Sequence, residues 1–271
     1  MKISLIQLNS LDDPEENLLK ASRFMETAFN ERADLILLPE YSNYLGPWEK
    51  SRALAENGQK DWARKLAKQS QSTNTPIAAG LLYRENDKLY SSLWFFLPEK
   101  DSEPLVYKKL HLFKLDWDKN NSLDESRYFS AGSAPLIFEH AGRKFGAALC
   151  YDLRFPELFR FYSARGAEIL LIPSAFTHKT GEAHWKTLCQ ARSIENQCFV
   201  AAVNQVGPYD GGESYGHSLV VSPWGEVLLE APGKDNDDKE GVFTVEIDLT
   251  EINKAAARIP VQKHRRQDLF G

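Results

Sequence analysis

The sequence predicts an α/β fold, with mixed sheets covered by helices. Two observations lead there. Three apolar runs, residues 34–40, 144–149 and 168–172, are continuous rather than alternating, as in strands buried on both faces. Helical stretches separate them. In addition, Ala33-Asp34-Leu35-Ile36-Leu37-Leu38-Pro39-Glu40-Tyr41 resembles Ala167-Glu168-Ile169-Leu170-Leu171-Ile172-Pro173-Ser174-Ala175. Each follows a predicted helix and reaches a Pro, which implies two similar halves; two copies are too few for a solenoid. No linker rich in Gly, Ser or Pro intervenes, so the expectation is one domain over residues 1–271.

Taken in order, residues 2–8 alternate and predict a first strand. From Pro14 to about residue 30, Leu18, Leu19, Ala21, Phe24, Met25 and Ala28 recur at helical spacing. Asp12 or Asp13 can cap that helix, and Pro14 suits its first turn. Residues 49–71 read as a helix. Residues 76–83 and 89–97 read as a hairpin around Glu85-Asn86-Asp87, and 105–110 as a short strand. Residues 114–134 show little periodicity, and such a stretch inside a compact domain is usually functional or mobile. Gly142 marks a turn before the 144–149 strand, and Pro156 opens a helix to about residue 164. A helix over 182–196 and a strand over 198–203 follow. Residues 207–216 form a Gly-rich loop, and 217–221 and 226–229 a hairpin around Pro223-Trp224-Gly225. An acidic loop over 232–241, a strand over 242–247, a helix from Thr250 and a basic tail complete the chain.

Composition narrows the class. A hydrophobic fraction of 42% with a formal charge of −5 excludes a disordered chain. Without a long basic run there is no footprint for nucleic acid. No segment approaches the roughly 18 apolar residues of a membrane span. The first eight residues read as a strand rather than a signal peptide. Three Cys residues cannot form a disulfide scaffold. The expectation is a cytoplasmic protein with free thiols.

Cys150 stands at the end of an apolar strand, before a turn and a helix. Open α/β sheets bind ligands outside the carboxyl ends of their strands, and such an elbow offers backbone N–H groups beside the nucleophile. Cys189 and Cys198 fall inside a helix and a strand and read as packing residues. A Cys nucleophile needs a base. His111, His140, His178, His184, His217 and His264 leave a Cys–His pair open. Glu40, ending the other buried run, is the stronger partner, because a charge there is costly unless paired. If the two strands lie parallel, Glu40 and Cys150 emerge on the same edge. Adjacent Lys108 and Lys109 in a strand point to opposite faces, so one can be solvated while the other enters a site.

Other matches carry less. Gly212-Glu213-Ser214-Tyr215-Gly216 fits a hydrolase elbow pattern but lacks the strand before it and the helix after it. His178 and His184 have no Cys ligand pair nearby, which argues against zinc. No dinucleotide or phosphate-loop fingerprint occurs. Asn120-Asn121-Ser122 is a glycosylation sequon without a secretory context.

Leu38-Pro39-Glu40, Tyr107-Lys108-Lys109-Leu110-His111-Leu112 and Leu149-Cys150-Tyr151-Asp152-Leu153-Arg154-Phe155-Pro156-Glu157 resemble, in order, the three motifs of the nitrilase superfamily of carbon–nitrogen hydrolases. Further matches run from Glu125-Ser126 and Gly132 through Pro173-Ser174-Ala175-Phe176 and Tyr215-Gly216-His217-Ser218 to His264-Arg265-Arg266-Gln267-Asp268-Leu269. Arg154-Phe155-Pro156-Glu157 and the tail resemble the amidase branch, which holds deaminated glutathione amidases and omega-amidases. Residues 114–124 fit neither subgroup closely.

The resemblance implies a four-layer α-β-β-α sandwich with two mixed sheets, a homodimer or higher assembly, and neither metal nor cofactor. It implies Cys150 as nucleophile, Glu40 as general base and acid, and Lys109 as third member. Glu125 matches a second Glu that positions the Lys or the substrate. Lys109 and the Tyr151 N–H are the implied oxyanion donors. Substrates of this branch carry carboxylates, and Arg154 is the candidate to bind one; the alternative is a salt bridge from Arg154 to Asp152 or Glu157. Tyr44 and Trp185 are the further expected pocket residues. Deaminated glutathione is the leading substrate. Omega-amidase action on 2-oxoglutaramate or 2-oxosuccinamate, a nitrilase, and a silent binding protein are the competing readings.

Overall fold

The computed structural model describes the chain apart from residues 100–102, 119–120, 235, 237–238 and 271; of residues 52–59, 117–118, 121–122, 267 and 270 it describes the backbone. The first half builds β1 (Lys2–Gln7), α1 (Pro14–Asn30), β2 (Leu35–Leu38), α2 (Trp48–Thr73), β3 (Ile77–Glu85), β4 (Lys88–Phe96) and β5 (Leu105–Lys108). A small hairpin, β6 (Lys114–Asp118) and β7 (Asn121–Asp124), follows. The second half builds β8 (Ile137–His140), β9 (Arg143–Ala147), α3 (Pro156–Ser163), β10 (Ile169–Ser174), α4 (His178–Asn196) and β11 (Phe199–Asn204). Then come β12 (Val206–Tyr209), β13 (Gly212–Tyr215), β14 (Leu219–Val221), β15 (Val227–Glu230), β16 (Gly241–Glu246), α5 (Thr250–Arg258), α6 (Val261–His264) and α7 (Gln267–Phe270).

One sheet has the order β16-β1-β2-β3-β4-β5, the other β15-β14-β11-β10-β9-β8. Each carries a parallel trio, β1-β2-β3 or β9-β10-β11, with antiparallel strands outside it. The sequence echo occupies the middle strand of each trio, β2 and β10.

Alternation within the apolar runs builds the layers. Leu35 and Leu37 face the inter-sheet core with Ile169, Leu171, Phe199 and Ala201. Ile36 and Leu38 face Ala21, Met25, Trp62 and Leu66 of α1 and α2. Leu170 and Ile172 face α3 and α4 through Phe159, Tyr162, Trp185 and Cys189. A strand covered on both faces needs no polar alternation, which explains the continuous runs. The outcome is the expected four-layer sandwich. Asp13 caps α1, its carboxylate accepting from the Glu15 and Glu16 amides. Leu19, one of the apolar residues at helical spacing in that helix, is exposed. Among the described residues no helix is long and apolar enough to cross a membrane.

Three expectations need correction, and one strand is added. Residues 114–134 are not unpatterned throughout, because β6 pairs with β7 before a short 3-10 turn, Glu125–Arg127. The 207–216 loop is the β12–β13 hairpin, its turn allowed by Gly211 at φ +102°. Residues 137–140 add an edge strand, too short for a periodic signal, joined to β9 through Ala141 and Gly142 at positive φ. Finally, β2 and β9 lie in different sheets, so Glu40 and Cys150 meet across the sandwich rather than along one sheet edge. The segments that leave β1 and β11 meet at this end, where Val206 N–H donates to the Leu8 carbonyl (2.8 Å).

Candidate active site

Glu40, Lys109 and Cys150 each follow a strand end. Lys109 comes one residue after β5, Glu40 two after β2 and Cys150 three after β9. The backbone bends sharply beside two of them. Tyr41 has φ +62° and Cys150 φ +42°, conformations that cost a non-glycine residue roughly 1–2 kcal/mol. Two glycines let the chain crowd in. A Cβ on Gly80 would lie 2.4 Å from the Pro39 carbonyl and 2.5 Å from Glu40 Cα. One on Gly132 would lie 2.2 Å from the Lys108 carbonyl, while its own N–H donates to the Lys109 carbonyl (2.8 Å).

Lys109 is 0% exposed, and its ammonium sits between two carboxylates. Nζ is 3.0 Å from Glu40 Oε1 and 2.9 Å from Glu125 Oε2. Ser91 Oγ (2.7 Å) and the Ala175 N–H (3.2 Å) also donate to the Glu40 carboxylate. Gln205 Nε2 holds the Glu40 carbonyl at 2.9 Å. Glu125 accepts from the Tyr41 hydroxyl (2.9 Å) and the Phe113 N–H (2.7 Å). Every lone pair used here meets a donor, which is what buried charge requires.

The site's charges set one another. Burial pushes the Glu40 carboxyl above its ordinary 4.5, with Lys109 and Ser91 pulling against it and Glu125 adding to it. Burial alone would lower the Lys109 ammonium, but Glu125 and Glu40 outweigh it and hold it well above 10.5. Burial, then the Glu40 charge, pushes the Cys150 thiol well above 9.0; Lys109 and the Ala175 amide oppose this. The nucleophile candidate is therefore a neutral thiol at neutral pH, with a carboxylate and an ammonium in its field.

A cleft opens over Cys150 and Glu125. Tyr151 and Arg154 form one wall, with Trp48, Phe113, Phe176 and Tyr209 around them. Arg154 pairs with neither Asp152 nor Glu157 in any described contact. Its guanidinium packs on the Phe176 and Tyr151 rings (5.4 and 5.9 Å) and donates to His184 Nδ1 (3.3 Å). Tyr44 and Trp185, expected to line the pocket, lie outside its wall. Tyr44 is buried with its hydroxyl on the Pro47 carbonyl, and Trp185 sits beneath Phe176 with its indole N–H on the His217 carbonyl. Both are large rings whose polar atoms found backbone acceptors away from the cavity.

Among the described residues no contact joins a histidine to Cys150, and His178 packs against the Tyr215 ring. His111 bonds Asp152, His184 bonds Arg154, His140 faces Glu99 and His217 faces Glu230. Ser214 is a buried strand residue, so the Gly-x-Ser-x-Gly match is no elbow. Cys189 and Cys198 are unpaired and buried, and burial raises both thiols, Cys198 to about 12. Sequence reasoning missed Tyr41, Ser91 and Gln205. A polar residue inside an apolar strand, as Ser91 is, was the one available signal.

The profile of the carbon-nitrogen hydrolase family matches residues 2–257. The chain is 36% identical to the deaminated glutathione amidase of Dictyostelium discoideum, covering 98% of this chain and 94% of that protein. It is 37% identical to the 2-oxoglutaramate amidase of Bacillus subtilis, covering 99% and 98%. Its fold is similar to the crystal structure of the Caenorhabditis elegans NitFhit protein, with a TM-score of 0.92 and 32% identity over all of this chain. The chain spans only 66% of that longer protein. Fold, profile and full-length relatives agree: the chain belongs to the carbon-nitrogen hydrolase family, within the nitrilase superfamily, and is a hydrolase acting on amides.

Proposed function

We propose that the chain is a thiol amidase that hydrolyses a small amide bearing a carboxylate and releases ammonia. The observation that carries this is the Lys109 ammonium clamped between Glu40 and Glu125 beside Cys150, under a cavity with a guanidinium on its wall. Because the thiol is held neutral, its proton passes to Glu40 as sulfur attacks the amide carbon. Lys109 and the Tyr151 N–H receive the developing oxyanion; Tyr151 lies in the first turn of a 3-10 helix, where N–H groups lack intrahelical acceptors. One such donor is worth about 3–4 kcal/mol. The protonated Glu40 gives its proton to departing ammonia and leaves a Cys150 thioester. Glu40 then deprotonates water, which attacks the thioester and releases the acid and the free thiol. Glu125 orients Lys109 throughout.

Arg154 pairs with the substrate carboxylate. Deaminated glutathione is the leading substrate, and a 2-oxo omega-amide is the second reading, since relatives of both names match equally well. An amide panel with ammonia detection decides. A clear kcat/KM preference for 2-oxoglutaramate overturns the first choice. Ammonia release from neither class, with Cys150 inert to a thiol probe, overturns the amidase itself.

We further propose that residues 1–271 act as one catalytic domain in a homodimer or larger assembly in the cytoplasm. The shared inter-sheet core supports one domain, and three unpaired thiols fit a reducing compartment. A monomer in light scattering at working concentration contradicts the assembly.

A further inference from the structure

Asp152 is 0% exposed, two residues past Cys150. A carboxylate buried this deeply is costly unless its oxygens are satisfied. Four donors reach it. Oδ2 accepts from the Tyr107 hydroxyl (2.7 Å) and the Leu149 N–H (3.0 Å). Oδ1 accepts from the His111 N–H (3.0 Å) and lies 2.7 Å from His111 Nδ1.

The origin of those donors is informative. Leu149 immediately precedes Cys150. Tyr107 and His111 stand two residues before and two after Lys109. The His111 ring also stacks on Phe155 at 3.7 Å, closing the far end of the Cys150 turn against the Lys109 segment. Capping the turn would account for the Leu149 contact alone. It leaves the Tyr107 and His111 contacts, which arrive from the other sheet's last strand and its exit, without a purpose.

We propose that Asp152 is a positioning residue that fixes Cys150 relative to Lys109. The two groups come from different sheets, and among the described residues no strand ladder between β5 and β9 sets their separation. One carboxylate that grips both chain segments does. It also holds the turn in which Cys150 keeps its φ of +42°. The described bonds of the Asp152 carboxylate all go to Tyr107, Leu149 and His111, so it acts through the two residues it spaces. This rests on the catalytic reading of Cys150 and Lys109 given above.

The test compares wild type with Asp152→Asn and with the double variant Tyr107→Phe/His111→Phe. The Asn side chain keeps the size but turns a donor toward donors. The double variant spares the Leu149 contact and keeps a ring on Phe155, so it carries the test if Asp152→Asn does not fold. Misplacing reacting groups by about 1 Å costs around 100-fold. We expect kcat to fall about 100-fold in Asp152→Asn and about tenfold in the double variant, with KM changed less than threefold. Cys150 alkylation by iodoacetamide should slow in both, its pH profile moving upward as the thiolate loses Lys109. Lower melting temperatures with unchanged kcat and an unchanged alkylation profile would overturn the proposal. Alkylation is read without amide turnover. A wild type that releases no ammonia therefore defeats the amidase reading, while the alkylation comparison still judges Asp152.

Discussion

Lys108 closes strand β5 with its ammonium 2.7 Å from Glu85, over the Tyr83 and Tyr90 rings, where water reaches both partners. Lys109, one residue on, has its ammonium 3.0 Å from Glu40 and 2.9 Å from Glu125, with no solvent contact. The distances are alike and the consequences are not. A pair open to water contributes about 0.2–1 kcal/mol, whereas breaking a buried pair costs about 3–5 kcal/mol because a bare charge is left behind. The alternation of β5 sends one lysine outward and the next inward. Contact distance therefore says little about what a charge does; the medium around it decides.

Four perturbations sharpen or break this contrast. The largest effect is expected from Lys109→Ala, which removes an oxyanion donor and strands two buried carboxylates. kcat should fall by about 10³ or more, with a lower melting temperature; a loss equal to that of Lys108→Ala would mean that the wrong lysine has been assigned. Next is Glu40→Gln, which removes the proton acceptor. Burial raises the Glu40 carboxyl above 4.5, so the base form is lost as pH falls through that raised value. The acid limb of kcat/KM in the wild type should lie above pH 4.5 and be missing from the residual activity of Glu40→Gln. A limb at or below 4.5 would contradict the burial argument. Tyr41→Phe deletes one hydrogen bond to Glu125 and leaves its other contacts in place. A bond to a charged group is worth about 1.5–3 kcal/mol, so a loss of about tenfold or somewhat more in kcat is expected; no change would show that Glu125 needs no such support. The smallest effect belongs to Lys108→Ala, with kcat within about twofold of wild type.

Much of this was legible in the sequence, for identifiable reasons. The buried runs at 34–40, 144–149 and 168–172 betrayed β2, β9 and β10, because strands covered on both faces lose their polar alternation. Neighbouring Lys108 and Lys109 split between faces because side-chain period in a strand is two. What stayed hidden was three-dimensional. Local pattern does not reveal which sheet a strand joins, so Glu40 and Cys150 were expected on one edge rather than across the sandwich. The β6–β7 and β12–β13 hairpins are short and polar, and their apolar signal is correspondingly weak. Tyr44 and Trp185 are of pocket-lining type, but each buries its polar atom on a backbone carbonyl instead. Asp152 stood in plain view within a motif, yet its partners lie 41 and 45 residues away in the chain.

The central claim is that Cys150 becomes acylated during amide turnover. Intact-mass and peptide mass spectrometry of enzyme quenched in the steady state tests it directly. An acyl adduct, of the mass of the substrate minus ammonia, is expected on the peptide carrying Cys150, and its loss in Cys150→Ala. The same adduct on Cys189 or Cys198, or turnover that persists in Cys150→Ala, would contradict it.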